Sequence, residues 1–315
     1  MVSACWLCYL ATSFTWLLIF RLLQGVFAGA SVALPIAIVR DQVSEASAGP
    51  YIAKIAMIVG LAPMVAPALG TLVLEFSGWR GIFLMQALLG FVLTTYILRA
   101  LAEPQAFTPS HFAGTVDILH RARQVYSNKG FLVPTLIYST LFSAMFSFLA
   151  GAPAVFIEGY GFSEYQLIAV LALTSFGMFS GSLLNSYLLK HKRARPVTLI
   201  RVPCAVTAAA ATVLLVVALT GQPHYGLVTA CCWLCVFMFG LSAPSSNHQA
   251  IYALNTHKGL GAGFIRTTQM LIAAVAGSVV SLLAVTFNAL LASAIMMTAM
   301  AWVALLTFVG WNQAR

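Results

Sequence analysis

Apolar runs of about 20 residues recur along the whole chain, each long enough to cross the hydrocarbon core of a bilayer. Reading back from the C-terminus, they fall at approximately 287–311, 260–285, 225–247, 197–219, 165–189, 131–157, 82–101 and 51–76. Between them stand turn-forming or charged segments such as TGQPHYG, KHKRARP and GYGFSEY. Composition agrees with this reading: 61% of the 315 residues are hydrophobic and only 7% are charged. A water-soluble fold of this size would need far more charge to cover its surface. The sequence therefore predicts an all-α polytopic membrane protein.

A net charge of +9 raises the question of nucleic-acid binding, but the basic residues sit in short loops between spans, where they act as topology signals. No nucleic-acid partner is expected. If the loop after Arg40 is cytoplasmic, alternation along the chain places all but two of the 16 lysines and arginines on that side or near it. The exceptions are Arg80, on the far side, and Arg21, within a helix. That bias predicts a cytoplasmic C-terminus. The six cysteines all lie in apolar segments and read as small buried hydrophobes rather than a disulfide framework. Cys231, Cys232 and Cys235 lack a His or acidic partner within a turn, so no metal site is expected. The spans offer no nucleophile–base pair and no GxxxxGK[ST] loop, which argues against an intramembrane enzyme and an ATP-driven pump.

Arg21 is the anomaly in the first apolar stretch. The only turn-like cluster upstream is Ala11–Thr12–Ser13–Phe14–Thr15. A helix from about Thr15 to Arg40 puts Arg21 roughly 9 Å inside it at 1.5 Å per residue. The helix before the turn keeps only about 15 Å, half the hydrocarbon thickness. An intramembrane arginine is costly and normally faces protein or water, yet one so near a helix end can also snorkel to the interface. Spacing alone leaves both roles open. The long polar segment 102–130 separates a stub and three helices from six helices. Two six-helix halves with a cytoplasmic linker would look like this if the first two helices and half of the third were missing.

Several motifs then point the same way. Arg21-Leu-Leu-Gln24-Gly25 resembles the RxxQG motif in the fourth helix of the major facilitator superfamily, within its Bcr/CflA-type branch of drug:proton antiporters. Arg40-Asp41 is similar to the pair that ends that helix at the cytoplasm. Gly60-Leu-Ala-Pro63-Met-Val-Ala-Pro67-Ala-Leu-Gly70 resembles the fifth-helix antiporter motif, and Gly78-Trp79-Arg80 follows it as in this branch. A weaker match runs through Tyr160-Gly161-Phe162-Ser163 to the C-terminus.

The resemblance implies a major facilitator fold lacking helices 1 and 2 and half of helix 3, with about ten membrane segments, the first a stub. Residues 1–101 would be the remnant of the N-terminal half (helices 3–6), 102–130 a cytoplasmic linker, and 131–315 the C-terminal six-helix half (helices 7–12). It implies proton-coupled efflux of drugs or other small amphipathic molecules by alternating access, by a monomer in the bacterial inner membrane. The proton gradient would be the energy source, with no cofactor. Arg21 and Asp41 would serve coupling and gating, and Gln24 and Gly25 complete the helix-4 motif. Gly60, Pro63, Pro67 and Gly70 would shape a kinked, thin helix face. Tyr138, Phe142 and Met145 share one helical face, which reads either as packing or as a greasy wall for substrate.

Three departures are visible. Thr71 replaces a second glycine, Arg266 stands where the branch is small and neutral, and the first helix, with its acidic residue, is absent. The alternative is a non-transporting truncated fragment of such a transporter. Asn185, Asn247, His248 and Gln269 are expected to bond neighbouring helices or sit at the interface, and Arg266 to snorkel to the cytoplasm.

Overall fold

The computed structural model describes residues 1–42, 45–100, 115–221, 223–254 and 258–313, with side chains described over 1–28, 66, 69–100, 120–221, 223–254 and 260–313. The described residues are helical, with no strand among them. The chain divides into two compact units, Met1–Phe112 and Ala113–Arg315. Seven described stretches are long and apolar enough to cross a membrane: Leu69–Ala100, Lys129–Gly159, Glu164–Lys190, Thr198–Leu219, Tyr225–Tyr252, Leu260–Thr286 and Ala289–Gln313.

The first unit holds α1 (Val2–Tyr9), α2 (Phe14–Gln42) and α3 (Glu45–Ala100). Between α1 and α2 the chain turns at the cluster read from sequence. Ser13 starts α2, its Oγ accepting from the Trp16 amide at 3.3 Å and its carbonyl from Leu17 at 3.0 Å; this supplies acceptors to amides that a helix start leaves unpaired. α3 is not one continuous rod. At Gly78 the backbone takes φ 64°, ψ −174°, a region that side chains resist and glycine enters freely. The arms 45–77 and 79–100 are therefore separate helices, in keeping with the two apolar runs there. Gly81 completes the break, since a Cβ on it would collide with the Ser77 side chain. Arg80 fastens this corner to the α1–α2 turn: its Nη2 donates to the Ala11 carbonyl at 3.1 Å, and its guanidinium lies 4.3 Å from the Trp79 ring centre. α1 packs on α3, where a Cβ on Gly90 would come within 2.9 Å of Val2.

The second unit begins with α4 (Thr115–Ser127), an amphipathic helix against α5 (Lys129–Pro153) and α9 (Lys258–Thr286). Its Tyr126 hydroxyl meets Thr268 Oγ1 at 2.8 Å. Asn128 joins α4 to α5: Oδ1 caps the Gly130 amide at 2.9 Å, and Nδ2 donates to the Ala253 carbonyl at 2.9 Å. α5 is the axis of the unit, packing on α8 (Tyr225–Tyr252), α9 and α10 (Ala289–Gln313). Past Pro153 it widens into a π-helical turn, Ala154–Gly159, and reverses at Gly161, whose φ is 70°. The Tyr160 hydroxyl closes this corner on the Pro223 carbonyl at 2.7 Å. Burial holds that phenol above its ordinary pKa, so the donated proton is kept through mildly alkaline pH.

α6 (Glu164–Lys190) starts with a capping box between Ser163 and Gln166, which satisfies two end groups reciprocally. It crosses α8 almost backbone on backbone. A Cβ on Gly181 would strike the Phe237 carbonyl, one on Gly240 the Met178 carbonyl, and one on Gly177 would come within 2.9 Å of Trp233. Gly177-x-x-x-Gly181 is the small-xxx-small pattern of close helix crossings in lipid. Asn185, 1% exposed, pins the same crossing by donating to the Leu241 carbonyl at 2.6 Å and Ser245 Oγ at 2.7 Å. α7 (Thr198–Leu219) packs on α8 and α10.

Candidate functional site

Each unit holds one polar cluster built around an arginine within an apolar helix. In the first unit α2 brings Arg21 and Gln24 to the surface that meets α1 and the second arm of α3. Their i, i+3 spacing sets them on one face. Arg21 Nη1 donates to Gln24 Oε1 at 3.0 Å, and the guanidinium lies 4.9 Å from the Phe83 ring centre. Gln24 is 6% exposed. Its Nε2 donates to Gln86 Oε1 at 2.9 Å and contacts Cys5 Sγ at 3.1 Å. Cys8 Sγ stands 4.0 Å from Gln24 Oε1. Gln24 thus joins three helices and holds the head of Arg21.

The chemistry follows from charge. A guanidinium cannot be deprotonated in a protein, so it stays cationic wherever it is held. The Arg21 contacts among the described residues are a neutral amide and the face of an aromatic ring. Both steady the cation without neutralising it. Such a group is available to bind an anion, or to hold a carboxylate in its charged form.

The other residues singled out in the first unit fall differently. Gly25 is exposed and Gly70 half-buried, and among the described residues nothing lies within 4 Å of a Cβ built on either. The side chains of Asp41, Pro63 and Pro67, and the surroundings of Gly60, lie outside what the structure describes.

In the second unit Tyr138, Phe142 and Met145 do share one face of α5, and they belong to one packed cluster with Phe239 of α8. The Tyr138 and Phe239 rings are 5.6 Å apart, Phe142 and Phe239 5.5 Å, and Phe142 stacks on Phe146 at 6.0 Å. Tyr138 is buried, whereas Phe142 and Met145 are only half-buried. Above this wall stands Arg266 of α9. Its Nη1 donates to the Tyr138 hydroxyl at 2.8 Å and to Gln269 Oε1 at 2.8 Å. Two acceptors, one of them on α5, thus hold the head of Arg266, a residue that is itself exposed.

Sequence reading found Arg21, Gln24 and the Tyr138 stripe but missed Gln86, Phe239 and the role of Arg266. A repeated signal was available. Arg266-Thr-Thr-Gln269 has the same R-x-x-Q spacing as Arg21-Leu-Leu-Gln24, and both pairs close the same Nη1 to Oε1 bond. Gln86 and Phe239 carry no such signal, since each is a lone residue in an apolar helix. His248 is exposed and stacks on Tyr252.

The profile of the Major Facilitator Superfamily matches residues 1–278. The chain belongs to the major facilitator superfamily. Among curated proteins this member of the superfamily is 28% identical to YdgK of Bacillus subtilis (strain 168), an uncharacterized MFS-type transporter, over 180 residues, which is 56% of this chain and 44% of that protein. It is 27% identical to the multidrug resistance protein MdtL of Escherichia fergusonii over 168 residues, 53% of this chain and 42% of MdtL. The matched stretch therefore spans less than half of either relative.

Among solved structures, a D-xylose–proton symporter matches with a TM-score of 0.68 at 14% identity, covering 96% of this chain and 76% of the symporter. A bacterial homologue of the human lysosomal transporter Spinster matches with a TM-score of 0.62 at 15% identity, covering 98% and 81%. At such identity these likenesses speak for a major facilitator fold and nothing finer.

Proposed function

We propose that this superfamily member is a secondary transporter of the Bcr/CflA type, exporting small amphipathic molecules in exchange for protons by alternating access. The observation that carries the reading is the Arg21–Gln24–Gln86 junction. There an obligate cation is fixed inside an apolar helix by a buried amide, at the position of the RxxQG motif. In this scheme Arg21 binds a carboxylate in its ionised state. A proton arriving on that carboxylate releases the arginine, so proton binding and helix rearrangement become one event. Similarity to MdtL supports multidrug substrates.

The remaining roles follow the same scheme. Asp41 would gate at the cytoplasmic end of its helix, with Gly60, Pro63, Pro67 and Gly70 bending the next. Tyr138, Phe142 and Met145 would form an adaptable wall for the apolar part of a substrate. The proton gradient supplies the energy without a cofactor, and the chain works as a monomer in the bacterial inner membrane. The basic loops favour a cytoplasmic C-terminus.

Proton-driven efflux of a lipophilic fluorescent dye from cells expressing the chain tests the proposal. Arg21→Ala is expected to abolish gradient-dependent efflux while leaving the amount of inserted protein unchanged. Undiminished efflux in that variant would leave Arg21 as an interfacial anchor only. A second reading, favoured by matches that cover less than half of YdgK or MdtL, is a membrane fragment that does not itself transport. Gradient-dependent efflux by the 315-residue chain would rule that reading out, and its absence would favour it.

A further inference from the structure

Arg266 lies about two turns inside α9, roughly 12 Å from its first residue at 1.5 Å per residue. A cation at that depth is costly and needs an anion, water or protein dipoles around it. No Asp or Glu follows Glu164, and none lies on α5. The helices against α9 are α5, α10, α8 and α4, and of these only α4 carries an acid, Asp117, toward the opposite end of that helix from Tyr126. α5, α8 and α10, like α9 itself, carry no carboxylate and so supply Arg266 with dipoles but no counter-charge.

The guanidinium is nonetheless held in one orientation. Both N–H groups of Nη1 are engaged, one by the Tyr138 hydroxyl and one by Gln269 Oε1, each at 2.8 Å. These acceptors are 4% and 1% exposed, so they cannot swing away with the arginine. The Arg266 residue itself is exposed. Among the described residues no partner is bonded to Nε or Nη2. That edge is the planar two-donor fork that matches the two oxygens of a carboxylate. Tyr138, which accepts from Nη1, shares one face of α5 with half-buried Phe142 and Met145, and the Phe239 ring packs on Tyr138 and Phe142.

We propose that Arg266, oriented by Tyr138 and Gln269, binds the carboxylate of an amphipathic organic acid whose apolar body rests on the Phe142–Met145 face. The site gives the second unit a selectivity for anionic substrates. Its strength comes from preorganisation: the fork is already aimed, so binding loses little side-chain freedom. Removing the cation leaves the aromatic face but takes away the charge-assisted pair, which is the stronger part of the contact.

The proposal deepens the transport reading, and binding to the full chain in neutral detergent tests it without any gradient. A protein that binds but does not transport would refute the transport reading alone. Calorimetric titration should detect 4-phenylbutyrate but not its neutral amide, 4-phenylbutyramide. Arg266→Gln should weaken phenylbutyrate binding about tenfold or more, in line with the worth of a hydrogen bond to a charged group. Arg266→Lys, which keeps the charge without the fork, should fall between the two. Arg201→Gln, which removes an exposed cation on α7, should bind as the parent does. Equal binding of acid and amide, or equal binding by the parent and Arg266→Gln, would overturn the assignment. An Arg266-dependent rise in melting temperature with phosphatidylglycerol and none with phenylbutyrate would also overturn it, making the ligand a lipid phosphate.

Discussion

At the scale of single residues, the cluster around Arg21 depends on Gln24 more than on the arginine itself. Gln24 is the buried member, and its amide donates to Gln86 while its oxygen accepts from Arg21. Gln24→Leu would leave Gln86 Oε1 with only the weak Cys5 thiol donor at 4.0 Å and strand one guanidinium N–H, at about 1–3 kcal/mol for groups left poorly paired. A lowered melting temperature in detergent is the expected result. Adding Gln86→Leu should recover part of the loss, because replacing both partners by apolar groups removes the poorly paired oxygen. If the double variant instead loses the full sum of the two single losses, Gln24 and Gln86 are not coupled. The sequence marks Arg21 plainly, because one charge in an apolar run stands out. Gln86 is illegible there: only the fold decides which of many lone polar residues meet. The contacts of Arg266 were not legible either, since position along a helix does not disclose which acceptors wait across it.

At the scale of elements, two kinds of glycine do different work. Gly78 is required by backbone conformation, and its φ of 64° lets the chain break between the two arms of α3. Gly181 and Gly240 are required by proximity, for they let α6 and α8 touch along their main chains. Gly240→Val should therefore prevent the crossing, since a core without slack answers added bulk by shifting backbone. Gly310→Ala is the control, because nothing lies within 4 Å of a Cβ there. Fluorescence-detected gel filtration should show the monodisperse peak lost in the first variant and kept in the second. A sharp parent-like peak from Gly240→Val would mean that α6 and α8 do not touch along their main chains. The span boundaries were legible from hydropathy and turn residues, and so was the α1–α2 turn. The partner of each helix was not. Gly177-x-x-x-Gly181 lay in the sequence as a hint of close contact, but it does not say with which helix.

At the scale of the whole molecule, membership of the superfamily and the all-helical fold could be read from the repeated spans and the RxxQG stretch. The π-helical end of α5 could not, because nothing in Ala154–Gly159 distinguishes a widened turn from an ordinary one. The six cysteines matter at this scale for a practical reason. All are free and buried, and Cys5, Cys8 and Cys204 are fully enclosed. A thiol sealed in a packed helix is out of reach of a polar reagent. The natural chain is thus expected to stay dark to a membrane-impermeant maleimide in intact cells and in inside-out vesicles. A cysteine placed at Ser127 or at Gln313 would then be the sole reporter of its own side. Labelling from the cytoplasmic face alone at both positions would fix the topology with every native thiol still in place.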